Sequence, residues 1–151
     1  MNFITHLGPE IAARVLLVCI FPLSGLDKIV HWNEAVAQAK SAPVPAPVAL
    51  LVLAILAELC APVCIVLGWH DRLAAVILCG YCIITAILYH PFWAFTHFWS
   101  QDVEGRAHFW DFFKNLCVAG GMALLVLSGG YVSLNTVVTH PLGNAPYSAA
   151  R

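Results

Sequence analysis

Charge is scarce in this chain. Seven Lys and Arg and eight Asp and Glu leave a formal net charge of −1 across 151 residues. That balance offers no basic face for a phosphate backbone, so nucleic-acid binding is not expected. No low-complexity tract, long internal repeat or HExxH spacing occurs either, which removes repeat architectures and the common zinc helices. Charged residues make up 10% and apolar residues 61%. Soluble domains run near 25% and 45–50%. The imbalance points to a chain whose surface faces lipid.

A membrane span needs about 20 mostly apolar residues, and four stretches qualify. Residues 11–30 are the weakest, because Arg14, Asp27 and Lys28 flank a short apolar run and Pro22 predicts a kink. This stretch lacks a basic start and a small-residue cleavage site, so it reads as a retained helix rather than a signal peptide. Residues 47–69 and 72–95 are strongly apolar. Residues 109–130 qualify but open with Asp111 and Lys114. The connection 31–46 is polar, then proline-rich, and residues 70–71 form a tight turn. Trp32, Trp69, Trp93, Trp99 and Trp110 all fall at span ends, where interfacial belts favour tryptophan. The expected fold is therefore all-α: an integral membrane bundle of four helices running up-down-up-down within residues 1–130. Residues 131–151 form an extramembrane tail.

Parity assigns each polar residue to a side. Side A, where the chain starts, receives Arg14, His70, Asp71 and Arg72. Side B receives Asp27, Lys28, His31, His90, His97, His108, Asp111, Lys114 and Asn115. Lys and Arg divide three to four between the sides, so the positive-inside rule gives no orientation. One carboxylate, Glu58, stands near the centre of the second stretch, about 15 Å from either end at 1.5 Å per residue. An ionisable group at that depth faces the bundle interior and marks a functional site by default. Lys114, Lys28 and Arg14 are its candidate partners. Glu58 then forms the floor of a polar half that opens to side B. The competing reading is a structural ion pair that only sets helix register.

"HPFWAFTHFW" (90–99) and "HFWDFFKN" (108–115) bracket the last connection. On a continuous helix His90 and His97 would stand about 10 Å apart, too far for one metal ion. No metal or haem is expected. The run reads either as an interfacial aromatic belt or as aromatic walls with His and Lys donors around the ring of a lipid-soluble quinone. Trp93, His97 and His90 belong to that second reading. Of six cysteines, Cys79 and Cys82 form a CxxC inside a helix and are a candidate thiol pair. Cys60 and Cys64 lie at similar depth on the preceding helix. Small buried apolar packing is the stronger reading for all of them. Gly120 and Gly121 read as close-packing positions.

"RVLLVCIFPLSGLDKI" (14–29), "AELCAPVCIVLGWHDRLAA" (57–75), "HPFWAF" (90–95) and "FFKNLCVAGGMALL" (112–125) together resemble the DoxX family of small four-helix membrane proteins, over about residues 11–130. The resemblance implies a bacterial or archaeal cytoplasmic (inner) membrane and a multi-pass bundle. Some relatives are subunits of a thiosulfate:quinone oxidoreductase or associate with quinol oxidase; others are linked to thiol or quinone stress; many have no established activity. Arg14, Ser24, Gly25, Lys28, Glu58, Gly68, Arg72, His90, Lys114, Asn115 and Gly120 occupy the family's motif positions, whereas the cysteines match none.

The expected function is a quinone-interacting oxidoreductase subunit. Glu58 and Lys114 would be its catalytic groups. Lys28, His90, Trp93, His97 and Asn115 would meet the quinone, and Arg14, Arg72 and Asp111 would act as structural polar anchors. The bilayer and further membrane subunits are the expected partners. The alternative is a non-catalytic assembly subunit of a larger complex. A transporter ranks last, because no inverted repeat is visible.

Overall fold

The computed structural model describes residues 2–127, with side chains from residue 8 onward; the expected tail at 131–151 lies outside the described residues. The described chain is all-helical. Its elements are α1 (Asn2–Val18), α2 (Ile20–Val30), α3 (Trp32–Ser41), α4 (Pro47–Leu67), α5 (Asp71–Tyr89), a 3-10 turn (Phe92–Ala94) and α6 (Val103–Leu127). By length and composition, three helical stretches can cross a membrane: Pro47–Leu67, Asp71–Ala94 and Val103–Leu127.

The expected single helix over 11–30 is instead two segments that meet at Cys19. Pro22 is the cause. It has no N–H to bond the carbonyl four residues back, Val18, so the helical ladder is interrupted there. Neither segment alone reaches spanning length.

The connection expected over 31–46 contains a helix, α3. Its Ala, Gln, Glu and Lys residues are strong helix formers. Glu34 sits in its first turn and Lys40 in its last, as the helix dipole favours. It stops at Ser41 because Ala42 precedes Pro43 and adopts the extended backbone that position demands. Ala35 and Ala39 are buried against Leu51 and Ile55 of α4.

Pro47 opens α4 at a position where its missing N–H costs nothing. Gly68 closes it in the left-handed region at φ 69°, and the Trp69 amide donates back to the Cys64 carbonyl at 2.9 Å. That closure is the glycine-dependent helix stop, and it turns the chain directly into α5.

The fourth expected helix begins six residues earlier than residue 109. Asp102 explains the difference. Its carboxylate accepts the Gly105 amide at 2.9 Å, which caps the free N–H groups of a helix start. Gly105 also permits a close approach. A Cβ there would stand 2.6 Å from the Phe95 Cβ and 2.8 Å from the Phe98 Cβ. These are atoms fixed to backbone, so they cannot swing away. Gly105→Ala should therefore destabilise the protein by about 1–3 kcal/mol through overpacking, outweighing the roughly 1 kcal/mol that alanine gains in helix propensity. Unfolding followed by tryptophan fluorescence checks this, since Trp99 and Trp110 belong to the ring cluster packed around that turn. An unchanged or raised midpoint would refute it.

The main core joins Val18, Phe21, Ala61, Ile65, Ala74, Ala75, Leu78, Cys82, Ala119 and Met122. These residues come from the end of α1, the start of α2, the C-terminal half of α4, the N-terminal two thirds of α5 and the C-terminal half of α6. Alanines at the crossings let the helices approach closely. That half of the molecule is filled. The other half, between the N-terminal part of α4 and the C-terminal part of α5, is not.

Candidate functional site

The unfilled half holds a cavity of about 840 Å³. Apolar side chains from α4 and α5, such as Leu53, Ala54, Ile77 and Ile84, make most of its wall. Ser24 and Lys28 of α2, Glu58 of α4 and Tyr81 of α5 give it a polar floor.

Glu58 is 1% exposed, and two neighbouring helices, α2 and α5, serve its carboxylate. Lys28 Nζ donates to both oxygens, at 2.9 Å to Oε1 and 3.0 Å to Oε2. Ser24 Oγ donates to Oε1 at 3.0 Å. Tyr81 Oη donates to the same oxygen at 2.7 Å. Lys28 also donates to the Ser24 hydroxyl one turn back on α2. Charge and hydrogen bonding are thus compensated in a place where an unpaired carboxylate would be costly. Gly25 allows the approach: a Cβ there would meet Leu59 Cδ2 at 3.2 Å and Glu58 Cβ at 3.3 Å. Pro62, inside α4, withholds the amide that would bond the Glu58 carbonyl.

Of the three candidate partners for Glu58, Lys28 is the one that reaches it. Lys114 pairs with Asp111 at 2.9 Å on the exposed face of α6. Arg14 works at the opposite end of the molecule. It is buried, its Nη1 lies 2.9 Å from Asp71 Oδ2 and its Nε 3.4 Å from Glu10 Oε1. It also donates to the Ile65 carbonyl in the last turn of α4. Asp71, not Arg72, is the helix-5 residue that meets Arg14; Arg72 is exposed.

Five of the nine residues that parity placed on side B, namely Lys28, His90, Asp111, Lys114 and Asn115, line the cavity together with Glu58. Trp93 and His97 do not. Trp93 packs edge-on against Phe92 and Phe112 and is exposed. His97 sits in the turn before α6 at φ 65°, and its carbonyl accepts amides from Ser100 and Gln101. The break in α5 after Tyr89 is the reason, because it turns the chain away before residue 93. His90 instead faces His108, with Nδ1 atoms 3.3 Å apart. One ring must donate and the other accept. All five tryptophans are exposed, as an interfacial belt requires.

All six cysteines are free thiols. Cys82 is buried in the core, and Cys79 Sγ donates to the Ala119 carbonyl of α6 at 3.4 Å. Gly121 lies against Leu17, whereas Gly120 has open space beside it. Among the described residues no three His, Cys, Asp or Glu side chains cluster to hold a metal ion.

Tyr81 is the site residue that sequence reasoning missed. It lies inside the Cys-Gly-Tyr-Cys segment, where the cysteines drew attention. The available signal was a lone phenol in mid-helix at a depth close to that of Glu58, since a buried Tyr hydroxyl needs a partner.

Helices long and apolar enough to span, with an internally paired carboxylate beneath an apolar cavity, define a small multi-pass membrane protein with an intramembrane polar site. The chain belongs to the DoxX family, whose model matches residues 11–91. It is 32% identical over 124 residues to the inner membrane protein YphA of Escherichia coli K12, covering 82% of this chain and 85% of that one. It is 30% identical over 119 residues to the inner membrane protein YqjF of the same organism, covering 79% and 82%. No solved structure matches it. The chain is an inner-membrane protein of this family.

Proposed function

We propose that this protein is a quinone-binding subunit of a membrane oxidoreductase. In this reading α1 and α2 form one bent span, and with α4, α5 and α6 they make an up-down-up-down bundle. The cavity carries the proposal. Ligand sites for small molecules are typically about 300–1,000 Å³, mostly apolar, with a few convergent polar groups. The 840 Å³ space with its Ser24–Lys28–Glu58–Tyr81 floor has that form. An aromatic head would rest on the floor while its chain lies along the apolar wall of α4 and α5.

Glu58 and Tyr81 are the groups placed to exchange protons with a bound head. Lys28 holds Glu58 in position, and His90, Lys114 and Asn115 line the outer part of the cavity. The electron donor or acceptor belongs to a second membrane subunit.

Lipid extraction and mass spectrometry of detergent-purified protein tests this. Near-stoichiometric quinone or quinol in the wild type, with a reduced load in Glu58→Gln, is expected. No quinone in either folded sample would move the function to assembly of a larger complex.

A further inference from the structure

We propose that the floor of the cavity selects the reduced, hydroxyl-bearing form of its ligand, a quinol rather than a quinone. The inference rests on the quinone-site reading and adds which redox form the site prefers. It comes from counting donors and acceptors at the floor.

Each donor of the floor already has a partner within the protein. The three protons of the Lys28 ammonium face the Ser24 hydroxyl and both Glu58 oxygens, with the Ser24 carbonyl at 3.5 Å. The Ser24 hydroxyl donates to Glu58 Oε1 and accepts from Lys28. The Tyr81 hydroxyl donates to Glu58 Oε1. Each of these hydroxyls has a single proton to give.

The acceptors are not spent. Glu58 Oε1 takes three donors, but Oε2 takes only Lys28. A carboxylate oxygen has room for about two. Among the described residues none donates to the Tyr81 oxygen. A ligand head that reaches the floor thus meets acceptors with no donor to spare.

A quinone carbonyl can only accept. To bind at the floor it must pull Lys28, Ser24 or Tyr81 away from Glu58, and each such exchange removes one hydrogen bond to a buried carboxylate. A quinol hydroxyl donates. It adds a hydrogen bond to Oε2 and breaks none. Hydrogen bonds to charged groups are stronger than neutral ones, and one of them is worth roughly tenfold to a hundredfold in affinity. The outer part of the cavity discriminates less. Lys114 and Asn115 are both bonded to Asp111 there, while Lys114 remains exposed and keeps protons to donate.

The test is anaerobic titration calorimetry of the full chain in nanodiscs with three probes: a decyl-substituted benzoquinol, the matching benzoquinone, and the quinol's dimethyl ether. The ether keeps the reduced ring and loses both donors, so it separates hydrogen bonding from ring shape. The expected result is a quinol at least tenfold tighter than either other probe. Equal or tighter quinone binding overturns the inference while leaving a quinone site. A quinol no tighter than its ether also overturns it. Binding of none of the three overturns the quinone reading itself, and the inference with it.

Glu58→Gln should abolish or reverse the preference, because the amide supplies a donor and frees Lys28; a preference that survives this change contradicts the inference. Should that variant fail to fold, Tyr81→Phe decides. It relieves the crowded Oε1 and leaves the open position on Oε2 in place, so the quinol preference should persist, and its loss counts against the assignment.

Discussion

Lys28→Met should destabilise the protein by about 3 kcal/mol, the low end of the roughly 3–5 kcal/mol for breaking a buried ion pair. Glu58 would keep only the Ser24 and Tyr81 hydroxyls as partners, inside a site where it is 1% exposed. The low end applies because the Lys28 side chain retains 20% of its exposure and is partly hydrated already. Lys28→Met/Glu58→Met should recover most of the loss, since two apolar side chains leave no buried charge. Reversible unfolding in mixed detergent micelles measures both. A single variant within 1 kcal/mol of wild type, or a double variant no better than the single, would remove the ion pair as a stabilising element. The same double variant should lose the proposed quinone ligand despite its recovered stability, which separates what the pair does for the fold from what it does for the cavity.

Arg14→Met should cost about 3–5 kcal/mol. Arg14 is 8% exposed and joins three elements: Glu10 on its own helix, the Ile65 carbonyl at the end of α4, and Asp71 at the start of α5. Removing it leaves two carboxylates close together and uncovers the negative end of the α4 dipole, which favours a cation. Arg14→Lys should restore less than half. A single ammonium cannot reproduce the planar fork that meets a carboxylate and a carbonyl at once. Unfolding measurements on the three proteins decide. Full rescue by lysine would mean that charge alone, without the fork, holds this end together. Because Arg14 lies at the opposite end from the cavity, the fraction of Arg14→Met that remains folded should keep its ligand.

Much of the fold was legible because the medium constrains it. Apolar runs of spanning length located α4, α5 and most of α6, and Trp69 marked the end of α4. The elements that escaped are those with weak periodic signals. α3 lies in a polar segment followed by three prolines and buries only small alanines. The start of α6 depends on one Asp102 carboxylate meeting one amide. The break at Cys19 follows from Pro22, whose effect was readable as a kink but not as a boundary.

The site was legible in part. Glu58 stood out because a carboxylate amid apolar residues is rare. Parity put Lys28, His90, Asp111, Lys114 and Asn115 on one side, and all five line one cavity, since antiparallel neighbours return the chain to the same side every second helix. His97, which parity put on the same side, and Trp93, read as part of the aromatic wall, lie outside the cavity because the chain turns away after Tyr89.

Scarcity of charge therefore determined the class of protein and the depth of its one central carboxylate, because a lipid medium penalises every unpaired polar group along the chain. Which cation answers that carboxylate was decided by tertiary structure alone. Depth follows from position along a helix, but facing follows from rotation about the helix axis, and each residue turns the side chain by about 100°. Close packing at Gly25 rotates Lys28 and Ser24 onto Glu58, and the facing of α5 brings in Tyr81. Lys114 pairs with Asp111 on its own helix and does not reach Glu58. A linear pattern records the first quantity and not the second.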